Sequence, residues 1–201
     1  MKFVIIPGNG CIPVLKSNWY AWLQKKLQEL GHTVKLENMP DPYEAKQEIW
    51  HKFMREDLQC DSTVIAIGHS SGAEAIMRWL ESNKLFGAIL VSACWTDLGI
   101  ENERISGYYN RPWKWDKIQT NTRFIVQLGS TDDPFIPIDE MRHVAKNLNS
   151  QYIEYKDKNH FMSKNCPEIL DVIKRKLSAV VEAEAKESPA TDKAKESPAT
   201  D

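Results

Sequence analysis

One glycine-flanked segment, Gly68-His69-Ser70-Ser71-Gly72, directly follows the apolar run Thr63–Ile67 and precedes a helical pattern. The order strand, sharp turn, helix is the context in which a G-x-S-x-G turn lifts a serine off the end of a strand. Such a turn is strained and has no room for side chains on either flank, which explains why Gly68 and Gly72 are glycines. The segment therefore predicts a sheet that presents Ser70 at its carboxyl edge.

The rest of the chain alternates β-type apolar runs with helical patterns, which is typical of a parallel sheet flanked by helices. Strands are predicted over Phe3–Ile6, His32–Glu37, Thr63–Ile67, Ala88–Ala93, Phe124–Leu128 and Tyr152–Tyr155. Helices are predicted from a Ser17 cap to a Gly31 stop, over Tyr43–Leu58 and Ala73–Ser82, and from Pro167 onward. The predicted fold class is α/β, with a mostly parallel six-stranded sheet and helices on both faces.

The segment Cys94–Thr120 fits neither the strand nor the helix pattern and is rich in aromatic residues. Long irregular segments in compact domains are often functional, and this one is expected at the sheet edge that carries the site. The alternative is an irregular, packed connection whose aromatic side chains only bury surface. On the first interpretation, Trp113 and Trp115 are candidates for the wall of an apolar substrate pocket.

Composition changes near the C-terminus of this 201-residue chain. Residues 1–181 are long enough for one domain with a sizeable core. From residue 182 the chain is polar, and Ala185–Asp192 recurs unchanged as Ala194–Asp201. A polar repeat that contains proline lacks the apolar surface needed to offset its ordering entropy, so disorder is predicted for residues 182–201.

Charge and cysteine spacing limit the expected partners. The formal net charge is -2 with no basic stripe, which argues against nucleic acid as a partner. The four cysteines show no C-x-x-C pairing and no spacing to histidine ligands, so free thiols in a reducing compartment are expected, with no metal and no other cofactor. No apolar run is long enough for a signal peptide or a membrane span, so the predicted location is cytoplasmic, with the nucleus as an additional location, and no membrane partner is expected.

The chemistry of Ser70 requires partners, because serine is a weak nucleophile without a base that is itself held by a third group. After a G-x-S-x-G turn, the partners follow in the order acid, then histidine. Among five histidines, only His160 lies in a loop after the last predicted strand, so it is the predicted base. Asp132 and Asp133 compete for the acid position after the fifth strand, and the distance to Ile136-Pro137 favours Asp133.

An oxyanion that forms at Ser70 needs two N–H donors. One is predicted to be the backbone N–H of Ser71, and the other the N–H of Asn9 or Gly10 in the loop after the first strand. Glycines there let the backbone approach a substrate carbonyl closely. The loop does not match the dinucleotide signature G-x-G-x-x-G, because Pro13 takes the place of the third glycine. A nucleotide-binding function is therefore less favoured.

Motifs spread along the chain together resemble one known family. They are residues 68–72, Pro7–Gly10, Asn38–Pro42, Gly107–Tyr109 with Arg111–Trp113, and Gly129–Pro134. This set resembles the retinoblastoma-binding protein 9 family of small serine hydrolases over about residues 2–178. The resemblance implies a compact α/β-hydrolase fold without a large lid domain, and a triad of Ser70, Asp133 and His160. The first functional hypothesis is a serine hydrolase that cleaves a small ester, thioester or amide through an acyl-enzyme on Ser70.

A second hypothesis is an interaction protein built on a hydrolase scaffold. The family member that binds the retinoblastoma protein carries an L-x-C-x-E segment, and the matching stretch here is Leu58-Gln59-Cys60-Asp61-Ser62. Ser62 replaces the motif glutamate, which argues against a retinoblastoma-type partner. An adaptor has no need for a serine, an acid and a base in the correct order. The hydrolase hypothesis is therefore favoured, with a small acyl compound as the partner.

Overall fold

The computed structural model describes residues 1–187, and its central element is one six-stranded sheet. The strands are β1 (Lys2–Ile6), β2 (Thr33–Lys35), β3 (Val64–His69), β4 (Gly87–Val91), β5 (Ile125–Ser130) and β6 (Gln151–Tyr155). Their order is β2-β1-β3-β4-β5-β6, and all neighbouring strands are parallel. The predicted α/β class and the six strands are confirmed, with bounds that differ by a few residues.

The helices of the described residues are α1 (Tyr20–Glu29), α2 (Gln47–Glu56), α3 (Ser71–Leu80), α4 (Glu101–Ser106), α5 (Trp115–Thr120), α6 (Ile138–Leu148) and α7 (Pro167–Glu187). Two of the predicted helix starts are wrong. Ser17 does not cap α1, because Asn18 adopts a φ of 43° and interrupts the chain before the helix. The second helix begins at Gln47 rather than Tyr43, because Ala45 has a φ of 52°. A left-handed residue cannot continue a right-handed helix.

The segment Cys94–Thr120 contains α4 and α5, so it is not structureless as the sequence suggested. Its backbone is held by a buried arginine of α3. Arg78 donates hydrogen bonds to the carbonyls of Tyr108 at 2.7 Å, Arg111 at 2.7 Å and Pro112 at 3.1 Å. Backbone carbonyls carry no sequence signature, so this anchor was not predictable. No separate lid domain occurs within residues 1–187.

Helices cover both faces of the sheet, and alternate residues of each strand point to opposite faces. On one face, Val4 and Ala66 belong to a core cluster that includes Trp50 of α2, Ile76 of α3 and Val144 of α6. On the opposite face, the ring centroid of His69 in β3 lies 5.8 Å from those of Trp19 and Tyr20, at the start of α1. The sheet is therefore buried on both sides, and its functional groups are confined to its edge.

A second compact unit begins at Pro167, and its described part is α7. Pro167 is the first residue of this helix, as predicted. Residues 182–187 are helical, and the remaining residues of the predicted disordered tail, 188–201, lie outside the described residues. No helix within residues 1–187 combines the length and the apolar character that crossing a membrane requires.

Candidate active site

Ser70 occupies a tight turn between β3 and α3. Its φ of 54° and ψ of -127° place a non-glycine residue in a strained conformation, which costs about 1–3 kcal/mol. A Cβ atom on Gly68 would lie 2.4 Å from the carbonyl oxygen of Gly72, and a Cβ on Gly72 would lie 2.2 Å from that of Ile6. These distances are shorter than any real Cβ contact. The predicted reason for the two glycines, the lack of space beside the turn, is confirmed.

His160 lies in the loop after β6 and is buried against Asp133. Its Nδ1 is 2.8 Å from Asp133 Oδ2. The N–H groups of Phe135 and Ile136 donate to Asp133 Oδ1 at 2.9 and 3.0 Å. Burial acts to raise the pKa of Asp133, but the hydrogen bond and charge of His160 and the two N–H donors outweigh it, so the pKa lies below its usual value. A carboxylate only accepts, so the shared proton is on Nδ1, and Nε2 can accept another.

Asp132, the competing aspartate, contacts the same loop without touching the imidazole. Its Oδ1 accepts hydrogen bonds from Ser130 Oγ at 2.5 Å and from the N–H of Asn159 at 2.8 Å. Asp132 therefore braces the loop that carries His160. Ser92, which the sequence analysis missed, donates from Oγ to Asp133 Oδ2 at 3.0 Å. Its position could not be predicted, because it depends on how the chain turns after β4.

The loop after β1 approaches Ser70 from the other side. A Cβ on Gly8 would lie 3.3 Å from the Cβ of Ser70, so the backbone here is close to the serine. The N–H of Gly10 donates to the carbonyl of Pro42 at 2.6 Å and is not available to an oxyanion. Within residues 1–187, the N–H groups of Asn9 and Ser71 donate to no other residue. Of the two N–H groups in this loop that were predicted as oxyanion donors, that of Asn9 is the remaining candidate.

Ser70, His160 and Asn9 line one cavity of about 260 Å³. The apolar part of its wall includes Leu98, Ile100, Phe135, Ile136 and Met162. The Ser70 hydroxyl makes no hydrogen bond to a described residue, so its bond to His160 is not formed in this state. In unliganded enzymes such bonds are often long and tighten only when substrate binds. The shared cavity is therefore compatible with a serine–histidine pair.

Two carboxyl groups that the sequence analysis missed line the same cavity. Glu74 of α3 is 1% exposed, and its Oε1 accepts the N–H of Cys94 at 2.8 Å. Glu103 of α4 accepts from Asn9 Nδ2 at 3.0 Å through its Oε1. Burial raises the pKa of both groups, and that of Glu74 lies well above its usual value. Glutamates on helices are usually solvated, so their sequence positions gave no indication of burial. The described residues contain no cluster of three or more groups suited to hold a metal ion.

Glu74→Gln tests the buried acid. The native carboxyl has a raised pKa, so above the unfolded pKa the folded chain binds more protons than the unfolded chain, and stability falls as pH rises. Glutamine retains the acceptor for Cys94 but does not titrate. Between pH 5 and pH 8, the free energy of unfolding of wild type should fall by about 1.4 kcal/mol for each pH unit below the raised pKa, and that of Glu74→Gln should lack this fall. The variant should therefore gain stability relative to wild type by the same amount as the pH rises.

Urea unfolding at both pH values measures this difference. Glu37→Gln is the matched control, because Glu37 is exposed and is solvated in both states. A Glu74→Gln effect that is the same at the two pH values would contradict the raised pKa.

Trp113 and Trp115 lie outside the Ser70 cavity. Their rings stack at 5.5 Å with an interplanar angle of 22°, and with Trp95 they line a second, more open cavity of about 590 Å³. Tyr109 lines both cavities. The two tryptophans are therefore not brought together with Ser70, and their predicted place in the wall of its pocket is not supported. The guanidinium of Arg78 packs against Trp113, 3.6 Å from the ring centroid, in a cation–π contact that helps to hold this ring.

The segment Leu58–Ser62 follows the end of α2. Leu58 and Cys60 are buried in the core cluster, and the N–H of Cys60 donates to the carbonyl of Met54 at 2.9 Å. Burial raises the pKa of the Cys60 thiol to about 12. The two side chains that a partner of an L-x-C-x-E motif would contact are therefore inside the folded chain.

Comparison with known proteins identifies the family. The family model described as Serine hydrolase matches residues 3–178. This chain belongs to the serine hydrolase family. It is 46% identical over 178 residues to Serine hydrolase RBBP9 of Rattus norvegicus, a match that covers 88% of this chain and 96% of the rat protein. The family resemblance inferred from the motifs is confirmed.

Solved structures support the fold of this serine hydrolase. The crystal structure of the ydeN gene product of Bacillus subtilis has a TM-score of 0.79 at 24% identity and covers 88% of this chain and 98% of that chain. Est1E of Butyrivibrio proteoclasticus has a TM-score of 0.68 at 13% identity and covers 90% of this chain and 88% of that chain. At these identities the likeness shows the α/β-hydrolase fold alone.

Proposed function

We propose that this serine hydrolase cleaves small esters, thioesters or amides through an acyl-enzyme on Ser70, with His160 as base and Asp133 as its partner. The observation that carries the proposal is the 2.8 Å contact between His160 Nδ1 and Asp133 Oδ2, next to a cavity that Ser70 and His160 both line. The chain order serine, acid, histidine and the strained turn at Ser70 support the same assignment.

In the acylation step, Ser70 Oγ attacks the substrate carbonyl carbon while His160 Nε2 takes the hydroxyl proton. The carbonyl oxygen becomes an oxyanion, which the N–H groups of Asn9 and Ser71 would bind. Ser71 is the first residue of α3, so the partial positive charge of a helix N-terminus adds to this stabilisation. His160 then returns the proton to the leaving group as the carbon–heteroatom bond breaks, which leaves the acyl group on Ser70.

In the deacylation step, His160 takes a proton from water, and the hydroxide attacks the acyl carbonyl. Collapse of the second tetrahedral intermediate releases the carboxylic acid and returns the proton to Ser70. In both steps Asp133 keeps the Nδ1 proton in place and stabilises the imidazolium. The lowered pKa of Asp133 supports this role, because only the ionised carboxylate can stabilise a positive charge.

The size and lining of the cavity favour a small acyl group. A volume of about 260 Å³ with apolar walls suits a short or compact acyl chain. Because Trp113 and Trp115 face a different cavity, the apolar contacts to the acyl group would come from the segment around Leu98 and Ile100 and from Phe135 and Ile136.

Labelling with a fluorophosphonate probe tests the nucleophile. We expect wild type to be modified at Ser70 and Ser70→Ala to be unmodified, as measured by in-gel fluorescence and by the mass of the modified peptide. Ser71→Ala is the matched control, because it removes the neighbouring hydroxyl but keeps the backbone N–H, and it should label like wild type. Equal labelling of Ser70→Ala and wild type would rule out Ser70 as the nucleophile.

A further inference from the structure

We propose that His69, the residue before the serine, is a positioning residue that holds the His160 loop through its imidazole and, with Tyr20, couples that loop to the Gly8–Asn9 loop. The inference rests on the proposed function, because it assigns His69 a part in aligning the base with Ser70. His69 lies inside the G-x-S-x-G turn, and its sequence position alone indicates no role. The contacts of its buried ring provide one.

The first contact joins His69 to the backbone of the base. His69 Nε2 is 2.8 Å from the carbonyl oxygen of His160, and His69 is 1% exposed. A carbonyl oxygen can only accept a hydrogen bond, so Nε2 carries the proton. The residue next to the nucleophile thus donates directly to the residue that carries the base.

The second contact joins His69 to Tyr20. With the proton on Nε2, Nδ1 of His69 is an acceptor, and the Tyr20 hydroxyl donates to it at 2.7 Å. The lone pairs of that hydroxyl accept from the N–H of Gly8 at 3.1 Å and from Asn18 Nδ2 at 3.1 Å. A continuous chain of hydrogen bonds therefore runs from Gly8 through Tyr20 and His69 to His160, and it links the two loops on either side of Ser70.

The charge state of these hydrogen-bonded groups does not change in the physiological pH range. Burial lowers the pKa of His69 to about 3, and the positive charge of a protonated His160 disfavours a second one nearby. Burial also raises the pKa of Tyr20 well above its usual value. His69 therefore remains neutral in one tautomer while His160 gains and loses its proton. It cannot act as a competing base, and its donor is always directed at the same carbonyl.

The loop around His160 needs such support because its backbone is strained. Asn159 and Phe161, which flank His160, have φ values of 48° and 51°. Left-handed non-glycine residues persist only where surrounding contacts hold them. Trp19 Nε1 donates to the carbonyl of Phe161 at 2.9 Å, and His69 supplies the corresponding bond to His160 itself. Without the His69 bond, the backbone of His160 would lose one of the contacts that set the position of its imidazole relative to Ser70.

Steady-state turnover of p-nitrophenyl acetate by His69→Leu, His69→Gln and Tyr20→Phe tests the inference. A misplacement of about 1 Å costs on the order of 100-fold in rate, so we expect His69→Leu to lower kcat about 100-fold with KM within about threefold of wild type. His69→Gln places an amide N–H near the position of Nε2 and should recover most of this loss, with an unchanged pH profile of kcat/KM. A purely structural role would not predict this recovery.

Tyr20→Phe isolates the second link. It should lower kcat about 10-fold in the wild-type background and clearly less in the His69→Leu background, because the part of its effect that passes through His69 is already lost there. Tyr152→Phe is the control, since that hydroxyl donates to Glu154 and does not line the cavity, and it should leave kcat unchanged. Thermal unfolding of each variant reports whether it folds.

Equal losses in His69→Leu and His69→Gln, or additive losses in the double variant, would overturn the inference. If His69→Leu does not fold, an unchanged kcat in folded Tyr20→Phe has the same consequence. Ser70→Ala, measured alongside, separates the two hypotheses. Retained turnover in Ser70→Ala overturns the proposed function and this inference with it. Abolished turnover in Ser70→Ala together with normal kcat in His69→Leu overturns the inference alone.

Discussion

Asp133→Asn is expected to lower kcat about 10⁴-fold with little change in KM, the size of effect seen when a triad carboxylate is replaced by its amide. The asparagine NH₂ cannot accept the Nδ1 proton of His160, so the imidazole would shift to the tautomer that carries its proton on Nε2. His160 could then no longer take the proton of Ser70. Steady-state kinetics with a small activated ester such as p-nitrophenyl acetate provide the measurement.

Asp132→Asn is the matched control for Asp133→Asn. The two residues are adjacent, but Asp132 contacts Ser130 and the backbone of Asn159 rather than the imidazole. Asparagine retains an oxygen that can accept the Asn159 N–H, so kcat should fall less than about 10-fold. A larger loss in Asp132→Asn than in Asp133→Asn would reverse the assignment of the acid.

Gly72→Ala is expected to lower the free energy of unfolding by more than about 3 kcal/mol, or to prevent folding. The added Cβ would lie 2.2 Å from the carbonyl oxygen of Ile6 and 2.7 Å from that of Pro7. Both are backbone atoms of the β1 end and the loop beside Ser70, so neither can move as a flexible side chain would. Urea unfolding followed by circular dichroism measures the change.

Gly31→Ala separates this clash from the general cost of replacing glycine. Gly31 follows α1 with a φ of 83°, and a Cβ there would meet no atom within 4 Å. Its replacement should lower the free energy of unfolding by only about 1 kcal/mol, the cost of placing an alanine in the left-handed region. Similar losses in Gly31→Ala and Gly72→Ala would show that the turn at Ser70 is less tightly packed than described.

The G-x-S-x-G segment allowed the turn at Ser70 to be predicted because its causes are local. The strand, the strained serine and the two flanking glycines are neighbours along the chain, so their pattern can be recognised in the amino-acid sequence. The six strands were predictable for a similar reason, since parallel strands buried on both faces are continuous apolar runs. Helix starts were less predictable, because Asn18 and Ala45 adopt left-handed conformations that their residue types do not require.

The site beyond the serine was only partly accessible from the sequence. His160 and Asp133 were predicted from chain order, and the fold places them in contact. Glu74 and Glu103 were missed, because glutamate on a helix gives no indication that its neighbours will bury it. Trp113 and Trp115 line a different cavity from Ser70, which could not be predicted because an aromatic cluster in the sequence does not specify which way its rings face.

The α/β fold, the turn that carries Ser70 and the family could be predicted from the amino-acid sequence, since these follow from periodicity, glycine positions and motifs that neighbouring residues define. Three contacts became evident only from the folded chain. The Gly10 N–H is occupied, Asp133 rather than Asp132 contacts the imidazole, and a buried chain of hydrogen bonds runs from Gly8 through Tyr20 and His69 to His160. These contacts join residues far apart in the chain. Their geometry depends on how strands and loops pack in three dimensions, which no local pattern encodes.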